Sequence, residues 1–240
     1  MMHLVLVFLI IAIGAFLQSA IGFGFGVFCM AFLPYLFPYG TAVAFSLLMS
    51  MCNSTVLTIR YHRCIDWKVV LPFAIANVLV GTTITALSAS IDNRAMMLAL
   101  GCMLIALAAY FFLVGNIAIH PTPAKGVALG AVTGVTNGFF GIGGPTTAMY
   151  LLPSLGDKVS YQASTQFSFV VTAFAAAMMR IAKGMMPSDV VPSLGIGLVG
   201  VAVGTFLGIR IFSRLHLESF KRLVYLLIAI NGVVILGTNW

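Results

Sequence analysis

The charged residues of this chain are confined almost entirely to the gaps between eight apolar runs, at about 3–38, 42–59, 67–90, 95–119, 124–153, 159–183, 188–213 and 220–238. Six of the runs hold about 18–26 residues, enough for a helix to cross a hydrocarbon core of about 30 Å. Inside a bilayer each backbone N–H and C=O must find a protein partner, so only helices and closed barrels span it. The short alternating strands of a barrel are absent. The chain therefore reads as an all-α polytopic membrane protein. Composition agrees: 7% of residues are charged and 61% hydrophobic, against about 25% charged in a soluble domain. A soluble core and disorder are both excluded.

The net charge of +7 would suggest a nucleic-acid partner in a soluble protein. Here the basic residues lie between the runs, so they report orientation in the lipid bilayer, and no nucleic-acid partner is expected. Cys29, Cys52, Cys64 and Cys102 form no CxxC pair and read as small packing residues. The first run lacks a basic lead and a clear small-residue cleavage site, so it is expected to be retained rather than removed as a signal peptide.

The chain repeats itself. With Pro34 set on Pro153, Gly22-Phe23-Gly24 falls on Gly141-Ile142-Gly143 and Ala44-Phe45-Ser46 on Ala163-Ser164-Thr165. One residue further on, Arg60 falls on Arg180. Each half is one broken run plus three plain spans, which divides a single membrane domain into repeats at 1–119 and 120–240. Loop charge indicates their relation. If each broken run begins and ends on one side, Arg60, Arg63, Lys68, Lys125, Lys158, Arg210, Arg214, Lys221 and Arg222 share a face, against Arg94, Arg180 and Lys183. If each broken run crossed once, the basic residues would divide evenly. The positive-inside rule favours the first arrangement: two inverted-topology repeats, with the basic face cytoplasmic. Whether a broken run is a re-entrant hairpin or two short spans stays open at this point.

The two longest runs, 3–38 and 124–153, contain glycines that do not share a helix face: Gly22, Gly24 and Gly26, then Gly141, Gly143 and Gly144 before Pro145. Proline suits the first turn of a helix, so Pro145 predicts a new half-helix there. The series Gly126, Gly130, Gly134, Gly138 and the series Gly200, Gly204, Gly208 keep a spacing of four and read instead as packing stripes. A helix break at membrane depth persists only against protein or a watery cavity. Its half-helix N-terminus carries free donors and partial positive charge, which suits an anion. The alternative is that the breaks only turn tight hairpins.

The polar side chains within the runs are neutral. Gln18 and Ser19 precede the first break, and Thr136 and Asn137 the second. Asn53, Ser54, Thr165, Gln166 and Ser168 lie deep in spans, and Asn77 lies in another. Neutral donors beside a backbone nest suit a small oxyanion that must also be released; interhelical hydrogen bonding is the bland alternative. The candidate substrate site is Gln18, Ser19, Gly22, Gly24, Asn53, Asn137, Gly141, Gly143, Gly144, Thr165 and Gln166. Arg60 and Arg180 close matching spans, where their side chains are expected to reach the interface and would also attract an anion at each entrance. The carboxylates Asp66, Asp92, Asp157, Asp189 and Glu218 and the histidines His3, His62, His120 and His216 all fall at run edges or in loops. No buried proton relay, metal-ligand spacing, nucleotide motif or nucleophile–base pair is seen, so no catalytic residue, metal or cofactor is expected.

The stretch "GVTNGFFGIGGPTTAMYLLP" with the following "SYQASTQFS", and "SAIGFGFGVFCMAFLPYLF" in the first half, resemble the glycine-rich motifs of the sulfite exporter TauE/SafE family, also called the TSUP superfamily. The likeness in length, repeats and basic central loop extends over nearly the whole chain. It implies a multi-pass protein of a bacterial inner membrane that carries sulfite, an organosulfonate or another small sulfur-containing or carboxylate anion, with Gly141, Gly143, Gly144 and Pro145 on the family motif. Phe23 and Phe25, where relatives have smaller residues, are expected to narrow the cavity or favour a substrate with an apolar part. A secondary carrier working by alternating access is the leading reading; a passive anion channel and a membrane subunit of a partner complex are the alternatives. Substrate, direction, proton coupling and homo-oligomerisation are open at this level.

Overall fold

The computed structural model describes residues 2–88, 90–113, 122–185, 190–211 and 229–238. Most of the described residues are helical, and none of them is in a strand. In order they form α1 (Met2–Ile21), α2 (Phe25–Phe32), α3 (Tyr39–Tyr61), α4 (Trp67–Ser88), α5 (Asn93–Leu113), α6 (Pro123–Phe140), α7 (Gly144–Ser154), α8 (Lys158–Ala182), α9 (Val191–Ile211) and α10 (Ala229–Thr238). Six of these helices, α1, α3, α4, α5, α8 and α9, are long and apolar enough to cross a membrane. Asp189, Glu218, His120, His216, Arg214, Lys221 and Arg222 lie outside the described residues.

Local chemistry sets the helix starts. Asp66, Asp92 and Asp157 each accept backbone N–H groups of the helix that follows: Lys68 and Val69 on α4, Arg94 and Ala95 on α5, Val159 and Ser160 on α8. Thr122 does the same for α6 through Lys125, with Pro123 next to it. These carboxylates therefore satisfy orphan helix donors at the membrane edge, which is why they stand between the runs.

Both long runs break where the sequence places glycine. The first stops at Ile21 and restarts at Phe25, with Gly22 and Gly24 at φ 99° and 113°. The second stops at Phe140, turns through Gly141 at φ 68° and restarts at Gly144 with Pro145 in the first turn. Left-handed values of this kind are open to glycine and strained for other residues. Each broken run folds back on itself. Cys29 Sγ lies 3.8 Å from Ile10 O, and the rings of His3 and Phe37 meet edge to face at 5.1 Å. In the second run Tyr150 Oη donates to Thr122 O at 3.5 Å.

Glycine stripes set the neighbours and their senses. Gly130, Gly134 and Gly138 of α6 lie in turn against Phe73, Asn77 and Gly81 of α4, so these helices run parallel. Gly200, Gly204 and Gly208 of α9 lie in turn against Phe8, Ala12 and Phe16 of α1, again parallel. α3 and α8 are antiparallel: Thr41 reaches Met185 O at 3.1 Å, while Ser54 bonds Gln166 at 3.0 Å. The first hairpin thus opens on the face where α3 begins, and the second on the face where α4 begins. With small residues in place of side chains, backbones approach closely and dispersion holds the helices.

Candidate functional site

The two glycine breaks touch. Gly26, on the first turn of α2, lies against the Gly141 carbonyl, and Phe23 packs on Gly144, whose added Cβ would stand 2.9 Å from Phe23 Cβ. Between them lies a pocket of about 30 Å³, room for little more than one water. Gln18, Ser50, Asn137 and Thr172 bring polar groups to it; Phe25, Val27, Leu47 and Phe169 form its apolar side. Gly24, Gly26, Gly141, Gly143 and Gly144 supply backbone. The N-termini of α2 and α7 both begin here, and the first N–H groups of a helix have no partner inside it. Asn137, only 6% exposed, makes no side-chain hydrogen bond among the described residues. No charged side chain lines the pocket.

A buried amide network stands beside it. Gln18 Nε2 donates to Ser54 Oγ at 2.6 Å and to Gln166 Oε1 at 2.8 Å. Ser50 Oγ donates to Gln18 Oε1 at 3.3 Å. Gln166 Nε2 donates to Gly22 O at 2.9 Å, and Gln162 Nε2 lies 3.4 Å from both Gln18 O and Ser19 O. These α8 glutamines thus bring donors to Ser19 O and Gly22 O at the end of α1, while Gln18 O also accepts from Gly22 N–H at 2.9 Å. Ser19 and Thr205 both donate to Asn53 Oδ1, at 3.1 and 2.5 Å.

Of the sequence candidates, Gln18, Gly24, Asn137, Gly141, Gly143 and Gly144 line the pocket. Ser19, Gly22, Asn53 and Gln166 belong to the adjoining network. Thr165 is buried outside the pocket lining, its hydroxyl without a partner among the described residues. Ser50, Thr172, Phe169 and Gln162 were not singled out. Gln162 stands one turn before Gln166 on α8, and that spacing was the signal available for it.

The two arginines part company. Arg60 is exposed, its guanidinium carbon 5.7 Å from the Tyr61 ring centroid. Arg180 does not reach the interface as expected: it is 1% exposed. Its guanidinium donates to Gly138 O at 2.6 Å and Phe139 O at 3.3 Å, and Tyr39 Oη donates to Phe139 O at 2.8 Å. The break at Gly141 leaves these carbonyls without helical partners, and a cation at a helix C-terminus also complements its dipole. Arg180 still lines a cavity of about 510 Å³ that includes Tyr39, Thr41, Ser88 and Asp92. Among the described residues no three His, Cys, Asp or Glu cluster as a metal site would require.

The profile of the sulfite exporter TauE/SafE family matches residues 6–235, nearly the whole chain. It is a family of membrane transporters. No curated protein and no solved structure matches the chain.

Proposed function

The chain belongs to the sulfite exporter TauE/SafE family, and from that premise we propose that it is a secondary carrier of a small anion, most simply sulfite or an organosulfonate, working by alternating access around the pocket where the two breaks meet. One observation carries this reading: two half-helix N-termini and the Asn137 amide converge on a buried pocket with no charged lining. Backbone donors and neutral amides hold an oxyanion without the fixed charge that would slow its release.

The opposite senses of the two hairpins, and the matching α1–α9 and α4–α6 pairs, support two inverted repeats over 1–119 and 120–240. In such carriers one repeat rocks against the other around a central site. The pocket is then in its closed form, and rocking separates Gly26 from Gly141 to admit the anion. The cavity beside Arg180 is the approach from the face that carries His3, and Arg60 stands at the opposite face. With the basic face cytoplasmic in a bacterial inner membrane, the Arg180 side is external. The proton travels with the anion, because the described carboxylates are occupied as helix caps.

Proteoliposome uptake of radiolabelled sulfite tests this, with taurine, sulfoacetate and sulfate as competitors. Saturable uptake, stimulated by unlabelled sulfite on the far side and weakened by Asn137→Ala, is expected. Uptake without trans-stimulation would mean a channel. No uptake in either orientation would refute the transport reading of this pocket.

A further inference from the structure

Gln18 brings to the pocket an amide whose orientation the surrounding network dictates. Gly22 O is a carbonyl and only accepts, so the Gln166 end that meets it at 2.9 Å is the amide nitrogen. Gln166 therefore turns Oε1 toward Gln18 and Ser54. The Gln18 group 2.8 Å from that oxygen must be its own nitrogen, because two carbonyl oxygens at that distance repel. Gln18 Oε1 is left at the opposite end, 3.3 Å from Ser50 Oγ. Both residues line the central pocket. Amide orientation is a matter of network logic, and here each link is forced by the one before it.

Taking the central pocket as the anion site, we propose that Gln18 reads a proton on the substrate: the pocket takes a small oxyanion in its monohydrogen form, with the substrate O–H donated to Gln18 Oε1. The α2 and α7 N-termini and Asn137 face the unprotonated oxygens with donors. Ser50 releases Gln18 Oε1 and donates to a substrate oxygen in turn. A fully deprotonated dianion would set an oxygen lone pair against Gln18 Oε1 and is disfavoured. One proton then crosses with each anion. It is taken up from water on one face and returned to water on the other, without a titrating side chain.

The ionisable groups on the helices around the pocket do not offer a substitute. They are His3 on α1, Cys29 on α2, Tyr39, Cys52, Arg60 and Tyr61 on α3, Lys125 on α6, Tyr150 on α7, Lys158, Tyr161 and Arg180 on α8, and Arg210 on α9. None lines the pocket. None is a carboxylate, and His3 stands at the far end of α1 against Phe37.

The test is competitive binding to the purified full chain in nanodiscs, at about pH 6 and about pH 8.5, with inorganic sulfite and methanesulfonate as probes. Methanesulfonate carries a single negative charge and sulfur-bound oxygens, like hydrogen sulfite, but has no O–H, and its charge does not change over this range. Sulfite affinity is expected to follow the hydrogen sulfite fraction, while methanesulfonate affinity stays flat. At the acid pH hydrogen sulfite should be preferred about tenfold, the upper range of one net hydrogen bond. Gln18→Met, which keeps length and removes the acceptor, should bring that preference close to one. Ser50→Ala, which frees the acceptor, should keep or widen it, and this variant serves if Gln18→Met fails to fold. Sulfite affinity that ignores pH, or a preference that survives Gln18→Met, would overturn the role of Gln18 and leave the anion site standing. Absence of binding by both probes at both pH values would overturn the site as well.

Discussion

Gly26→Ala is the most direct perturbation of the junction between the two breaks. A methyl group on Gly26 would overlap the carbonyl oxygen of Gly141, with Gly141 C and Ile142 Cα next at 3.4 and 3.6 Å. All three are backbone atoms of the opposite tip, so no rotamer change relieves the clash. Restoring normal contact requires the tips to part by roughly 1 Å. Overpacking of this kind costs about 1–3 kcal/mol. The same displacement moves the start of α2 and the Gly141 turn, both of which line the pocket. The assay pairs melting of the purified protein in detergent with sulfite uptake in proteoliposomes. Gly26→Ala should melt earlier and lose most of its uptake. Gly195→Ala is the control: nothing lies within 4 Å of its added Cβ, and alanine in a helix interior is favoured by up to about 1 kcal/mol. A Gly26→Ala protein that melts and transports like the parent would refute the claim that the tips must touch.

Arg180→Met removes the donors from Gly138 O and Phe139 O and should destabilise by about 1.5–3 kcal/mol, the range for a hydrogen bond to a charged group; Arg180→Lys should recover part of the loss in the same melting assay. Gly134→Ala would set a Cβ 2.9 Å from both Asn77 O and Gly81 N, so it should loosen the α4–α6 pair by about 1–3 kcal/mol, read as earlier melting and faster proteolysis. The Asp157 carboxyl is held below its ordinary range, first by Ser160 and then by Val159 at the start of α8. Its contribution to stability is present above the ordinary carboxylate pKa and is lost as pH falls through the lowered value. Asp157→Asn should therefore melt earlier than the parent near neutrality and converge with it at acid pH, where the parent's own carboxyl is protonated. Sulfite uptake should keep its pH dependence when Asp66, Asp92 or Asp157 is neutralised singly; loss of that dependence in any one variant would assign proton coupling to that carboxylate.

The amino-acid sequence by itself determined the helices, their caps and the two interruptions. These are local matters: hydropathy at a length of one bilayer, carboxylates before apolar runs, and glycines at Gly22, Gly24 and Gly141 whose positive φ other residues resist. The packing stripes were legible for the same reason, since a spacing of four fixes one helix face. The tertiary structure decided what each polar group faces. Arg180 looked like an interfacial charge but turns inward, because the break in α6 leaves carbonyls that it reaches from α8, as Tyr39 does from α3. Thr165 looked like a site residue but lies outside the pocket lining, while Ser50 and Thr172 enter it. The direction of the Gln18 amide depends on Gln166, 148 positions away. Hydrogen-bond partners across a helical bundle are set by how whole helices dock, and that docking depends on contacts among all of them at once rather than on the neighbours of any one residue in the chain.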